Sequence, residues 1–188
     1  MISRIYISHS KGDESLAMEV SAALNRIGLE NFAAMYQLSP GISRAERVSF
    51  GIRNSDCLVA LITREGSVST TVNQEVGLAK GLDLLIIPLL EKGAKIPFLI
   101  GQSQPIEFIE SSFRDAVGAL VKTLRDLSRL EWLRITCPCC GEEMTQYLTI
   151  QDDVDESMRR GSCLETVCSY CQNRISLDPR TFAPIPKV

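Results

Sequence analysis

The chain is expected to fold as α/β, with five parallel strands in one sheet, followed by a small cysteine-bearing module. Three observations predict this. Cys57 to Thr63 and Leu84 to Leu90 are apolar almost throughout, as parallel strands buried on both faces are. Stretches with apolar residues at helical spacing lie between the strand-like runs, and strand–helix alternation calls for a parallel sheet. Six of the seven cysteines follow Thr136.

Taken in order, Ile5, Tyr6 and Ile7 form a first short strand, which runs into the polar loop Ser8 to Asp13. Leu16, Val20, Leu24 and Ile27 share one helical face, and Gly28 stands where a C-cap glycine belongs. Leu29 to Ala33 is a second strand, and Ser39-Pro40-Gly41 is a turn signal. Ser43-Arg44-Ala45-Glu46 is a capping box, opening a helix to about Asn54. The third strand is Cys57 to Thr63. Thr71 to Gln74 reads as a second capping box, starting the next helix near Val72. Leu84 to Leu90 and Ile106 to Ile109 are the fourth and fifth strands. A long helix then carries Val117, Leu120, Val121, Leu124 and Leu127 on one face. Five strands in the first 133 residues fit a flavodoxin-like winding, in which ligands bind beyond the carboxyl ends of the strands. Glu75 falls at that edge, one turn into a helix.

Residues 134–188 read as a second domain. Cys137-Pro-Cys-Cys140 and Cys168-Ser-Tyr-Cys171 are two C-x-x-C knuckles. Each sets two thiolates on one tight turn, and two such turns complete a tetrahedral four-cysteine zinc site of the ribbon kind. A redox pair is the rival reading. Cys139 and Cys163 fall outside the pattern, and Asp152 to Glu156 reads as a solvated hairpin tip. From Cys137 onward, five Lys/Arg stand against eight Asp/Glu. That balance disfavours nucleic acid, because phosphate contacts need the opposite sign. A structural or protein-binding module is expected, packed against the last helix of the first domain.

The bulk properties exclude other classes. The 188 residues are 45% hydrophobic and 23% charged, with a net charge of −3. No apolar run approaches the roughly 20 residues of a membrane span. The first residues lack a secretory signal pattern, so a cytoplasmic protein is expected, where clustered cysteines point to metal before disulfides.

The first 130 residues or so resemble a TIR (Toll/interleukin-1 receptor) domain of the prokaryotic type. The resemblance rests on RIYISHSKGD at Arg4 to Asp13, on Ser39-Pro40-Gly41, on Asn54-Ser55-Asp56 before CLVALIT, and on Ser69-x-x-Val72-Asn73-Gln74-Glu75-Val76-Gly77-x-Ala79, followed by IIPLLEKG. It departs at Thr71, where the family often carries an aromatic residue, usually Trp. Many TIR domains cleave the nicotinamide–ribose bond of NAD, giving ADP-ribose or a cyclic isomer. The resemblance therefore implies that Glu75 is the catalytic glutamate. Ser8, His9, Ser10 and Ser69 are candidates to line the substrate pocket. The resemblance also implies activity on self-association, through the loop around Ser39 to Ile42.

Blander readings stand beside these. Glu75 in a first helical turn complements the helix dipole by about 0.3 to 1 kcal/mol even without chemistry. Glu46 is explained by its capping box, and Cys57 by the core. Lys11 and Arg44 read as solvated surface, although either would suit a phosphate. A non-enzymatic adaptor that binds other TIR domains is the alternative function.

Overall fold

The computed structural model describes residues 2–33, 41–128 and 130–186. Five parallel strands form the central sheet in the order β2-β1-β3-β4-β5. They are β1 (Arg4–Ser8), β2 (Glu30–Ala33), β3 (Cys57–Ile62), β4 (Leu85–Glu91) and β5 (Ile106–Phe108). The chain first winds from β1 to one side and then to the other. The switch point, where a ligand crevice is expected, therefore lies beyond the carboxyl ends of β1 and β3.

Side-chain alternation along β1 separates two cores. Ile5 and Ile7 join the apolar residues of α1 (Glu14–Arg26) and α4 (Phe113–Leu127) on one face. Tyr6 points the other way, to the layer holding α2 (Arg44–Arg53) and α3 (Thr70–Gly81). β3 is buried at all six positions, and its residues alternate between the same two cores.

Local signals place most helix ends. The Ser43–Glu46 capping box forms in both directions: the Ser43 hydroxyl accepts from Glu46 N–H at 3.2 Å, and the Glu46 carboxylate accepts from Ser43 N–H at 2.8 Å. Ser43→Ala is expected to lower stability by about 1 kcal/mol, measurable by urea denaturation. The second predicted box is corrected. Ser69, not Thr71, caps α3, its hydroxyl accepting from Val72 N–H at 3.4 Å, and the helix opens at Thr70. The cause is the 3-10 turn Gly66–Val68, which delivers Ser69 in extended conformation to the helix end. Leu127, expected on the buried face of α4, is 48% exposed because it lies in the last turn. Of the predicted Ser39-Pro40-Gly41 turn, Ser39 and Pro40 lie outside the described residues. Gly41 and Ile42 are exposed.

The cysteine-bearing part is two antiparallel hairpins with a helix between them. The first is β6 (Trp132–Thr136) with β7 (Glu143–Tyr147), and the second is β8 (Leu164–Val167) with β9 (Arg174–Leu177). Asp152 to Glu156 is not a hairpin tip: it belongs to the helix α5 (Gln151–Arg160). Acidic residues in its first turn, Arg159 and Arg160 in its last, and a left-handed Gly161 after it all favour that helix.

These hairpins share a core with the sheet. Leu133, Ile135, Met144, Val154, Ile175, Leu177 and Phe182 lie in the same buried cluster as the apolar faces of α1 and α4. Polar ties reinforce the seam. Lys122 pairs with Asp155 at 2.8 Å, Arg114 with Asp178 at 3.6 Å, and Arg180 with Asp115. The Arg125 guanidinium donates to Thr149 O and lies 5.6 Å from the centre of the Phe182 ring. Among the described residues, no helix is long and apolar enough to cross a membrane.

Candidate active site and thiol cluster

Glu75 occupies a position that helical periodicity reserves for apolar residues. Val72, Glu75, Val76 and Ala79 are the buried residues of α3, at the spacing of a core stripe, and Glu75 is 3% exposed. A carboxylate there faces the sheet. It meets Tyr6 and Ser8, which alternation along β1 brings to this face. The Ser8 hydroxyl donates to one carboxylate oxygen at 2.6 Å, and the Tyr6 hydroxyl to the other at 3.1 Å. Among the described residues, no Lys or Arg forms an ion pair with it.

Burial and hydrogen bonding oppose each other here. Burial pushes the Glu75 carboxyl above its ordinary 4.5, and the bonds from Ser8 and Tyr6, then the more distant charge of Arg44, pull it back only in part. Burial, and then the charge of Glu75, drive the Tyr6 phenol well above its ordinary 10.0, so it stays a donor. The site therefore holds a desolvated carboxylate, oriented at both oxygens by neutral donors.

The other predicted residues fall into separate roles. His9 is buried, its Nδ1 is 3.3 Å from Ile7 O, and burial pushes its imidazole below the ordinary 6.5. A neutral ring with Nδ1–H donating fits that contact. The Ser10 hydroxyl turns to Asp13, at 2.5 Å. Ser69 serves as the cap of α3. The geometry thus joins Glu75 with Ser8, while Ser10 and Ser69 make other contacts. Lys11 and Arg44 are exposed, and Cys57 is buried in the core with its thiol pushed up to about 12 by burial. Sequence reasoning does not single out Tyr6. Its place two residues before Ser8 on one strand is the available signal.

Cys137, Cys140, Cys168 and Cys171 bring their sulfurs within 4.8 Å of one another. Cys137 Sγ lies 3.7 Å from Cys171 Sγ, and Cys140 Sγ 3.8 Å from Cys168 Sγ. Four sulfurs tetrahedrally placed about 2.3 Å from one ion stand about 3.8 Å apart, so the cluster is already spaced to hold a metal ion. The two knuckles repeat each other. Cys137 O accepts from Gly141 N–H, as Cys168 O does from Gln172 N–H, and Gly141 and Gln172 have φ of 76° and 58°. The Asn173 backbone N–H, then its side-chain amide at 3.3 Å from the sulfur, lower the Cys171 thiol to about 6. Cys139 and Cys163 are exposed and outside the cluster.

A parallel α/β sheet with a buried carboxylate beside its switch point defines the class of this domain. A sequence model of the TIR domain matches residues 5–121, more than half of the chain, and the protein belongs to the TIR domain family. Among solved structures, it is similar to the TIR domain of the Toll-related receptor TRR-2 from Hydra magnipapillata. The TM-score is 0.54 at 18% identity, covering 65% of this chain and 96% of that one. It is also similar to the CMP N-glycosidase BcmB of Clostridium botulinum, with a TM-score of 0.48 at 16% identity, covering 63% of this chain and 98% of that one. At 18% identity the likeness to the Hydra domain is one of fold. No curated protein matches the chain.

Proposed function

We propose that this TIR domain cleaves the bond between nicotinamide and ribose in NAD, with Glu75 as the catalytic carboxylate. One observation carries the reading: the Glu75 carboxylate is buried at the sheet's switch point, against the cost of desolvation, and is held by hydroxyl donors, with no ion pair to it among the described residues. Such a group is expensive for stability and suited to meeting positive charge. In NAD cleavage the C–N bond breaks with its electron pair passing to the pyridinium, so nicotinamide departs neutral and needs no acid. The ribose develops oxocarbenium character, which a nearby carboxylate stabilises. Water then attacks the anomeric carbon and gives up a proton, yielding ADP-ribose. Attack by another part of the ligand yields a cyclic isomer. Ser8 fixes the carboxylate's orientation, and His9, Ser10 and Ser69 lie on the loops that flank substrate.

The thiol cluster holds one zinc ion in a structural role, its four sites filled by Cys137, Cys140, Cys168 and Cys171. Self-association, through the loop around Ser39 to Ile42, raises activity with protein concentration.

The test is NAD turnover by wild-type protein at high concentration, with products separated chromatographically. Nicotinamide release is expected, and the ribosyl product distinguishes hydrolysis from cyclisation. Thr71, half-buried where an aromatic residue is common in the family, favours the second reading, a non-enzymatic adaptor. That reading gains if purified protein self-associates yet releases no nicotinamide.

A further inference from the structure

A second buried carboxylate lies beside the proposed site. Asp13 is 6% exposed, in the loop between β1 and α1. One of its oxygens, Oδ2, accepts from two hydroxyls on different loops: Ser10 at 2.5 Å and Thr63 at 3.0 Å. Thr63 directly follows β3, and its Oγ1 also accepts from Gly66 N–H at 2.8 Å. Gly66 is packed so closely that a Cβ there would meet Asp13 Oδ2 at 2.5 Å and Thr63 Oγ1 at 2.8 Å. The loops after β1 and β3 are therefore stitched together through one carboxylate oxygen.

The stitch continues to the proposed site in both directions. Ser10 is two residues beyond Ser8, the donor to Glu75. Gly66 opens the 3-10 turn that delivers Ser69 to the start of α3, and α3 carries Glu75. We infer that Asp13 is a positioning residue, a clamp that fixes the separation of the two loops across the crevice and so the meeting of Ser8 with Glu75. The inference rests on the NAD-cleaving reading for its effect on turnover, but not for the clamp itself. Misplacing reacting groups by about 1 Å costs on the order of 100-fold in rate, so a clamp distant from the chemistry has a measurable effect.

Two substitutions test it. Asp13→Asn keeps an oxygen able to accept from both hydroxyls, whereas Asp13→Ala removes it. Asp13→Ala is expected to lower kcat by about 10- to 100-fold with KM within a few-fold, and Asp13→Asn to remain within about 3-fold of wild type. In hydrogen exchange, the amides from Gly66 to the first turn of α3 should exchange faster in the Ala variant and not in the Asn variant. Equal kcat in the Ala variant, or an Asn variant as damaged as the Ala one, overturns the inference. So does a loss of thermal stability with unchanged kcat. If wild-type protein releases no nicotinamide, the functional reading fails and the exchange pattern alone decides the clamp: faster exchange only in Ala supports it, and unchanged exchange overturns it. Should Asp13→Ala not fold, Thr63→Val removes one hydroxyl from the same junction and is expected to act in the same direction, more weakly.

Discussion

Glu75→Gln is expected to lower NAD turnover by on the order of 10² to 10³, and at the same time to make the protein more heat-stable at pH 7. The activity loss follows from removing the charge that meets the oxocarbenium ion. The stability gain follows from the pKa. Burial holds the Glu75 carboxyl above its ordinary 4.5, so the folded state binds this proton more tightly than the unfolded state does. Below the ordinary value both states are protonated, and Glu75 adds little cost. As pH rises through the raised folded value, the unfolded state ionises more readily, and wild-type stability falls relative to the neutral Gln variant. Above that value the difference is constant. Melting temperatures measured from pH 4 to pH 8 should therefore diverge upward, with the variant ahead. A variant that melts lower at pH 7 would show that the bonds from Ser8 and Tyr6 outweigh the burial, and that Glu75 is kept for structure. Evolution has no packing reason to hold a destabilising carboxylate in a core stripe, so loss of function with gain of stability is the signature of a site residue.

How far the sequence reveals this site depends on the residue. Strands β1 and β3, and the glutamate after β3, are legible because hydrophobic alternation and the family's motifs both mark them. The hydrogen bonds are less so. That Tyr6 and Ser8 share a face follows from strand period, yet that this face meets Glu75 requires the register of α3 on the sheet, which no local pattern fixes. The start of α3 misleads for a related reason: Thr71-Val72-Asn73-Gln74 has the letters of a capping box, while the turn at Gly66 makes Ser69 the residue with the extended backbone. Asp13 and Thr63 are invisible as a pair because they are fifty residues apart in sequence. The helix α5 escapes a sequence reading because its only fully buried apolar residue is Val154. Its end signals are present, and Val154 and Met158 stand four residues apart, but two apolar residues in the strongly polar QDDVDESMRR are too few to mark a helix. The knuckles need nothing beyond local spacing, since each pair of thiols is built by a single turn.

Removal of the zinc proposed for the thiol cluster is expected to destabilise the whole protein, not the hairpins alone. Cys137 and Cys168 lie in the same buried cluster as Val20 and Leu24 of α1 and Val117, Leu120 and Leu124 of α4. If the hairpins open, the apolar outer faces of these two helices lose their cover, and the ties from Lys122, Arg114, Arg125 and Arg180 are lost with it. A structural zinc site is worth about 10 to 16 kcal/mol in isolated zinc-finger peptides, as much as the total stability of an ordinary domain. Even a few kcal/mol lost from a chain of this size, at about 2 to 4 °C for each, lowers the melting temperature by about 10 °C or more. Protein as purified should carry about one zinc per chain by elemental analysis. Stripping with a strong chelator, or Cys168→Ser, should remove it and shift a single cooperative transition downward, and turnover should fall at temperatures where wild type is folded. A chain whose α/β half melts at an unchanged temperature after zinc is lost would mean that the seam contributes little, and that the module is an appendage despite the continuous core. Cys139→Ser is the control: its exposed side chain lies outside the cluster, and its metal content and melting should match wild type.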